Sequence, residues 1–199
     1  MATKYDQRFY ATISDGSQSS AAVVVPLLNF NGDTVIDVGC GRGWWGAEFA
    51  RHGIDVLGID GEYVTERMIP FQPVDLAKPF DLGRRFDLAI CLEVAEHLLP
   101  HRAEGFVADL CRLADVVVFS AAIPHQSGAG HVNCQWPTYW VDLFAAHGYG
   151  CIDEVRGQIW DDDRVEPWYR QNLLVFDQHA PVVPVRDLVH PVIHGWGRR

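Results

Sequence analysis

A cluster of glycines that follows an apolar, β-branched run is the clearest candidate for a ligand site in this sequence. Residues 35–38 predict a strand and residues 44–52 an amphipathic helix, and Gly39, Cys40, Gly41, Arg42 and Gly43 lie between them. Glycines at a strand-to-helix junction permit a tight turn and let the backbone approach a ligand closely. The junction therefore predicts a loop that passes beneath a bound small molecule.

The spacing of the glycines indicates which kind of molecule this is. A dinucleotide fingerprint would need its third glycine where this chain has Trp44, and the loop lacks the Lys and Ser/Thr of a phosphate-binding loop. Glycines stand instead at the first, third and fifth places, and Asp37 precedes them by two residues. This combination resembles the class I S-adenosylmethionine-dependent methyltransferases, in which such a loop passes beneath the cofactor.

The resemblance implies S-adenosylmethionine as cofactor, with S-adenosylhomocysteine as product, and assigns acidic residues to it. Asp60, 21 residues after Gly39, would accept hydrogen bonds from both ribose hydroxyls. Asp75 would contact the adenine amino group, and Glu93 would lie near the ammonium or sulfonium charge. The implied cofactor-binding residues are Asp37, Gly39, Cys40, Gly41, Gly43, Asp60, Gly61, Asp75, Leu92 and Glu93.

Each of these acidic positions also has a purely structural interpretation. Asp37 could hydrogen-bond only to loop amides, and Asp60 could cap a turn. Glu96 and His97 could simply begin a helix. The order of the acids along alternating strands favours the cofactor interpretation.

The acceptor is expected at the polar segment 120–136, which follows the fifth predicted strand. In open α/β sheets the ligand crevice lies beyond the carboxyl ends of the strands, and histidine can remove a proton near neutral pH. We hypothesise that His131 or His125 is the general base. The residues expected to orient or enclose the acceptor are Gln126, Asn133, Gln135, Trp136, Trp140 and Trp160. The alternative is that the polar groups satisfy loop backbone and the tryptophans pack in the core.

Short β-branched runs alternate with amphipathic stretches, which predicts an α/β domain. Strands are expected at residues 35–38, 54–59, 71–74, 86–92, 116–119, 149–155 and 172–177, with helices at 17–28, 44–52, about 106–114 and from 137 onward. With the resemblance, this implies a Rossmann-like seven-stranded, mostly parallel sheet with helices on both faces and an antiparallel last strand. We expect a single methyltransferase domain over residues 1–199, with a helical extension at 1–29, a core at 30–177 and an irregular tail at 178–199.

Composition limits the partners. The formal charge of −10 disfavours nucleic acid, which is bound through clustered Lys and Arg. Five scattered cysteines without a CxxC pair indicate neither a disulfide framework nor a zinc site, and no metal is expected. The absence of a long apolar run and of a secretory signal at the N-terminus predicts a cytoplasmic protein with no membrane partner. The oligomeric state is left open.

Two further segments have open interpretations. Residues 161–163 are three successive aspartates, which could attract a cationic acceptor or hold a metal, although a solvated acidic loop is favoured. Tyr5, Phe9, Tyr10 and the serines at 17–20 could form a lid over the cofactor or serve ordinary packing.

The predicted function is S-adenosylmethionine-dependent methyl transfer to an oxygen or nitrogen of a small-molecule acceptor, such as a metabolite or sugar. Two alternatives remain. A nucleotide-linked oxidoreductase is disfavoured by the glycine spacing, and a non-catalytic sensor or regulatory subunit that binds S-adenosylmethionine is disfavoured by the polar segment 120–136.

Overall fold

Seven strands form one mixed sheet in the computed structural model, which describes the backbone of residues 7–196 and the side chains of residues 16–194. Tyr5 and the side chains of Phe9 and Tyr10 lie outside this range. The strands are β1 Thr34–Val38, β2 Asp55–Asp60, β3 Phe71–Pro73, β4 Leu88–Leu92, β5 Val116–Ser120, β6 Gly150–Ile152 and β7 Leu174–Asp177.

The order across the sheet is β3-β2-β1-β4-β5-β7-β6. Strands β1 to β5 pair in parallel, whereas β7 runs antiparallel to both β5 and β6. The predicted sheet with its antiparallel last strand is confirmed. The helices are α1 Gln7–Leu27, α2 Trp44–Arg51, α3 Ala103–Leu113, α4 Pro137–Ala145, α5 Glu154–Ile159, α6 Pro167–Asn172 and α7 Pro191–Trp196.

Helices cover both faces of the sheet, so its central strands are apolar on both sides. Successive side chains of a strand point to opposite faces. Ile36 accordingly packs in one core with Phe106 of α3, while Val35 packs in the other with Phe49 of α2. These two cores hold the sheet between two helical layers and fix where its strand ends lie.

The strand order reverses at β1, which lies between β2 and β4. Because the three strands are parallel, their carboxyl ends meet at one edge of the sheet. A crevice opens at such a switch point, where the connections leave in opposite directions. The glycine loop after β1, Asp60 at the end of β2 and Glu93 after β4 are therefore brought together.

The structure differs from the sequence expectations in several places. The strand expected at 172–177 begins at Leu174, because α6 ends at Asn172. The strand expected at 149–155 ends at Ile152, and α5 begins at Glu154. Helix α1 begins at Gln7, ten residues before the expected start. The tail contains α7, whereas residues 178–190 are without helix or strand.

The tail is anchored just before α7. His190 is buried, and its backbone N–H donates to Gln171 Oε1 at 2.8 Å. Its ring lies against Trp160 with ring centroids 4.8 Å apart. Within residues 7–196, no helix combines the length and apolar character needed to cross a lipid bilayer.

Candidate active site

The loop between β1 and α2 depends on glycine. Gly39 has φ 74°, a region that L side chains rarely adopt. A Cβ atom there would lie 2.3 Å from Val94 Cγ2, so any side chain would clash with the segment after β4. Gly43 is the N-cap of α2, and its missing side chain makes room for Ile69. Gly39 thus borders the crevice, while Gly43 serves packing and is the one expected cofactor residue that does not line the cavity.

Asp60 ties the glycine loop to the end of β2. Its Oδ2 accepts from Gly41 N at 2.9 Å, and its Oδ1 accepts from Gly61 N at 2.6 Å and from the hydroxyl of Tyr63. A carboxylate has about four acceptor positions, so three are already in use. One position on Oδ2 remains for a ligand, and pairing with two ribose hydroxyls would require Tyr63 to move.

Asp37 lies beneath the loop. Its Oδ2 accepts from the backbone N–H of Gly46 in α2 at 3.1 Å. Burial raises the pKa of Asp37 to about 7, although the Gly46 hydrogen bond opposes the shift and the charge of Asp60 adds to it. The contact resembles the structural interpretation of Asp37 as an acceptor for backbone amides, but the amide belongs to the first turn of α2 and not to the loop. The residue also lines the cavity.

A cavity of about 480 Å³ lies at this edge of the sheet. Its lining includes nine of the residues expected to bind the cofactor, namely Asp37, Gly39, Cys40, Gly41, Asp60, Gly61, Asp75, Leu92 and Glu93. Acidic side chains outnumber basic ones in its lining. The acids of the lining are Asp37, Asp60, Asp75, Glu93 and Glu96, and Arg42 is its only Lys or Arg among the described residues. Arg42 is itself paired with Glu66, so the cavity favours a cationic ligand.

Asp75 marks the exposed rim of this cavity. Its carboxylate pairs with Lys78 Nζ at 2.9 Å. The hydrogen bond from Lys78 holds the pKa of Asp75 below its usual value. Asp75 is therefore placed for at most an edge contact with a ligand.

Glu93 belongs to a network of amide side chains that sequence analysis did not find. Its backbone has φ 55°, and its N–H donates to Ser120 O at 2.9 Å. Its carboxylate accepts from Asn172 Nδ2 at 3.1 Å and from Gln126 Nε2 at 3.2 Å. Burial raises the pKa of Glu93, and these hydrogen bonds oppose the shift.

Asn172 and Gln171 complete this network. Both side chains donate to Gln126 Oε1, at 3.1 and 3.0 Å. They come from α6, far from Glu93 in sequence, where a strand was expected to begin at Asn172. Because β7 runs antiparallel to β5, residues just before β7 lie beside the carboxyl end of β5. Nothing in the local sequence around Gln171 and Asn172 indicated this position.

Of the two histidines expected to act as the base, His131 lines the cavity, and His97 lines it as well. Its Nδ1 lies 3.2 Å from the carbonyl oxygen of Gln126, and its Nε2 lies 4.0 Å from Glu96 Oε1. Its ring centroid is 5.0 Å from that of His97. His125, the other candidate base, is exposed and absent from the cavity lining, so its assignment is corrected.

Glu96 is fully buried next to His131. Neither of its carboxylate oxygens has a hydrogen-bond partner among the described residues. Burial, together with the charge of Glu93, raises the pKa of Glu96 well above its usual value. The sequence interpretation of Glu96 and His97 as the start of a helix is met only by the single 3-10 turn Ala95–His97.

The other residues expected to contact the acceptor are absent from the cavity lining: Asn133, Gln135, Trp136, Trp140 and Trp160. Trp140 packs in the core against Phe119, with ring centroids 5.1 Å apart. Trp136 is exposed, and Trp160 lies against His190. Asn133 is buried, and its Oδ1 accepts from Gln135 Nε2 at 3.0 Å. Trp140 and Trp160 thus pack against the chain's own residues, as the alternative interpretation expected, whereas Trp136 is exposed to solvent.

Different tryptophans line the cavity: Trp44, Trp45 and Trp168. Trp44 and Trp45 open the helix after the glycine loop, a position whose first turn faces a ligand, so this signal was readable in the sequence. Trp45 Nε1 donates to the hydroxyl of Tyr169 at 3.3 Å.

The structure gives different outcomes for the serines at 17–20 and the aspartates at 161–163. Ser17 lines the cavity, whereas Ser19 and Ser20 hydrogen-bond to backbone carbonyls. In the acidic loop, Asp162 pairs with Arg164 and Asp163 with Arg170. Those aspartates are thus neutralised by the chain's own arginines.

Comparison with known proteins identifies related methyltransferases. The profile of a methyltransferase domain family matches residues 15–154. The ubiquinone biosynthesis O-methyltransferase of Methylobacterium sp. is 31% identical over 91 residues, which cover 40% of this chain and 36% of that protein. The magnesium-protoporphyrin O-methyltransferase of Synechocystis sp. is 31% identical over 121 residues, covering 50% of each. The chain thus spans about a third to a half of the length of these curated relatives.

Solved structures share the fold. The magnesium protoporphyrin IX methyltransferase of Synechocystis with bound S-adenosylmethionine superposes with a TM-score of 0.60 at 22% identity, covering 81% of this chain and 77% of that one. A sugar N-methyltransferase from Streptoalloteichus sp. gives a TM-score of 0.66 at 17% identity, covering 87% and 92%. The family profile spans most of the chain, and the sheet is the one that the alternating pattern and the family resemblance predicted. This chain belongs to the class I S-adenosylmethionine-dependent methyltransferase family.

Proposed function

We propose that this chain binds S-adenosylmethionine in the cavity at the carboxyl ends of β1, β2 and β4 and transfers its methyl group to an oxygen or nitrogen of a small molecule. The observation that carries the proposal is the cavity itself. The glycine loop and Asp60 form one end, and Glu96 and His131 form the other.

The cavity suits S-adenosylmethionine in size and in the acidic character of its lining. The cavity volume of about 480 Å³ suits a ligand of that size. Its carboxylates suit a ligand that carries an ammonium and a sulfonium group. Trp44 lines the donor end beside the glycine loop, and its indole Nε1 is buried without a hydrogen-bond partner among the described residues. When bound, S-adenosylmethionine supplies a methyl group that is already activated by positive sulfur.

The acceptor end needs mainly to align a nucleophile and to remove its proton. Of the two histidines proposed as base, His131 alone lines the cavity. It promotes loss of the acceptor's proton, either by accepting the proton itself or by holding a metal ion that lowers the acceptor's pKa. The curated relatives are O-methyltransferases, which supports an oxygen acceptor. The acidic charge of the chain and of the cavity supports a small molecule over nucleic acid.

The test is methyl transfer from labelled S-adenosylmethionine to a panel of phenols, carboxylic acids, amines and amino sugars. We expect stoichiometric S-adenosylhomocysteine with at least one class of acceptor. Affinity for S-adenosylhomocysteine without transfer to any acceptor would support the non-catalytic sensor instead. Absence of affinity for either compound by calorimetry would refute the proposal.

A further inference from the structure

Three metal-ligating side chains converge at the acceptor end of the cavity. Glu96 and His97 lie on the 3-10 turn Ala95–His97 after β4, and His131 lies on the loop after β5. One ligand atom from each lies within 4.8 Å of the other two. Two ligands that share one ion at about 2.1 Å are about 3 to 4 Å apart. Small side-chain rotations are therefore enough to close the cluster around an ion.

The buried carboxylate of Glu96 is the first indication of a cation site in this cluster. Its side chain is 0% exposed, and neither carboxylate oxygen accepts a hydrogen bond from the described residues. The backbone amides of Glu96 and Ala122 and the carboxyl group of Glu93 lie near this carboxylate, and the negative charge of Glu93 opposes its ionisation. A buried carboxylate without a partner is costly, and proteins keep such groups where they pair with a cation or coordinate a metal.

The orientation of His131 is that of a metal ligand. The Gln126 carbonyl can only accept, so the hydrogen bond at 3.2 Å places the proton on Nδ1. Nε2 then presents its lone pair towards Glu96, 4.0 Å away. Metal-binding histidines characteristically donate their second ring nitrogen to a carbonyl or carboxylate, which fixes the tautomer.

The backbone holds this arrangement in place. The carbonyl oxygen of Glu96 accepts from the N–H groups of Val132 and Asn133, at 2.8 and 3.0 Å. These bonds pin the loop that carries His131 onto the turn that carries Glu96 and His97. A Cβ atom at Gly128 would lie 2.1 Å from His131 Nε2, so glycine at that position leaves room for the ring.

We propose that Glu96, His97 and His131 bind one divalent first-row transition-metal ion, such as Mn²⁺, Fe²⁺, Co²⁺ or Zn²⁺, with open coordination positions that face the cavity. Two imidazoles and one carboxylate form a donor set typical of these ions, whereas Mg²⁺ and Ca²⁺ prefer oxygen ligands. Sequence analysis predicted no metal because it searched for cysteine pairs and acidic runs.

The site would act on the acceptor, a role that rests on the proposed function. An acceptor hydroxyl bound at an open position has a lowered pKa and releases its proton to solvent water. The oxygen then forms the new bond to the methyl carbon as the carbon–sulfur bond breaks, and the sulfonium becomes a thioether. His131 is in this arrangement a ligand and not the general base.

Direct metal binding tests the site without relying on activity. The chain is freed of metal by chelation, carries no affinity tag, and is titrated with Co²⁺, followed by calorimetry and by visible absorption of the bound ion. We expect one equivalent of Co²⁺ to bind to the wild type. Glu96→Gln, His97→Asn and His131→Asn should each weaken binding at least about 10- to 100-fold. Exposed His101 lies one turn further on and gives the matched control, because His101→Asn should bind as the wild type does.

Circular dichroism spectra show whether each variant is folded. An increase in melting temperature with Mn²⁺ in the wild type, absent from Glu96→Gln, is the second expected result. Binding that survives all three substitutions, or that is lost equally in His101→Asn, would overturn the proposal. Calorimetry with S-adenosylhomocysteine separates the two proposals. Nucleoside binding without Co²⁺ binding refutes the metal site alone, and Co²⁺ binding without nucleoside binding refutes the proposed function alone.

Discussion

The two ends of the cavity are built in different ways. The donor end uses residues close in sequence, since the glycine loop and the first turn of α2 are continuous and Asp60 bonds to Gly41 across neighbouring strands. The acceptor end joins distant segments: Glu93 contacts Asn172, and Glu96 faces His131. Spacing along the chain therefore links the residues of the first end, whereas the contacts of Glu93 with Asn172 and of Glu96 with His131 are evident only in three dimensions.

The largest expected effect tests the corrected role of a tryptophan that sequence analysis placed at the acceptor end. Trp140→Ala should lower the free energy of unfolding by about 3–5 kcal/mol, because it empties a fully packed position between β5 and α4. Urea denaturation measures this loss. Exposed Trp136 is the matched control, and Trp136→Ala should change stability by less than about 1 kcal/mol. Equal effects in the two variants would return Trp140 to the candidate site.

The donor end makes a pH-dependent prediction through Asp37. Its pKa is about 7 in the folded chain and near 3.8 when unfolded, so the folded state binds the extra proton between these values. The free energy of unfolding should therefore fall as pH rises from about 4 to 7, by up to roughly 3–4 kcal/mol.

Asp37→Asn keeps an acceptor for Gly46 N–H and removes the titration. The variant should show a flatter pH profile of stability and exceed the wild type at pH 8, as measured by urea unfolding at several pH values. Exposed Asp142→Asn provides the comparison. A wild-type profile that rises between pH 4 and 7 and is unaltered by Asp37→Asn would contradict this account.

Gly39→Ala tests whether the loop must be free of side chains. We expect affinity for S-adenosylhomocysteine to fall about 10- to 100-fold, because the new Cβ would clash with Val94 and strain a positive φ. Gly53 also has positive φ, but a Cβ there would meet no atom within 4 Å. Gly53→Ala should therefore lose some stability and no affinity in calorimetry. Equal affinity losses in both would show that backbone strain alone is responsible.

The smallest effect is expected at the rim. Asp75 is exposed and paired with Lys78, so Asp75→Asn should change affinity for S-adenosylhomocysteine by less than about threefold. Isothermal calorimetry at low salt measures the difference. A loss comparable with that of Gly39→Ala would restore Asp75 to a central role in cofactor binding.

Sequence reasoning succeeded where local chemistry determines structure. The strand, glycine loop and helix around Gly39 each have a clear local pattern, so their predicted bounds lie within a few residues of the observed ones. It failed at residues 153–155, because the periodicity of the short segment 149–155 did not separate strand from helix. Trp140 shows a second limit, since helical spacing marks a buried face without saying whether that face meets core or ligand.

The acceptor end illustrates a third limit. The local sequence around Glu96 and His97 indicates the start of a helix. Their proposed role as metal ligands depends on His131, which lies on a loop more than 30 residues away. Pairings over such distances depend on how the strands align, which local patterns do not encode. The unpartnered carboxylate of Glu96 becomes evident only after folding.

The most direct test of the account is a crystal structure with bound S-adenosylhomocysteine. We predict a ribose hydroxyl on Asp60 Oδ2, the glycine loop beneath the ligand, and the sulfur directed towards Glu96 and His131. A ligand bound outside this cavity, or one whose sulfur points to the rim at Asp75, would contradict it.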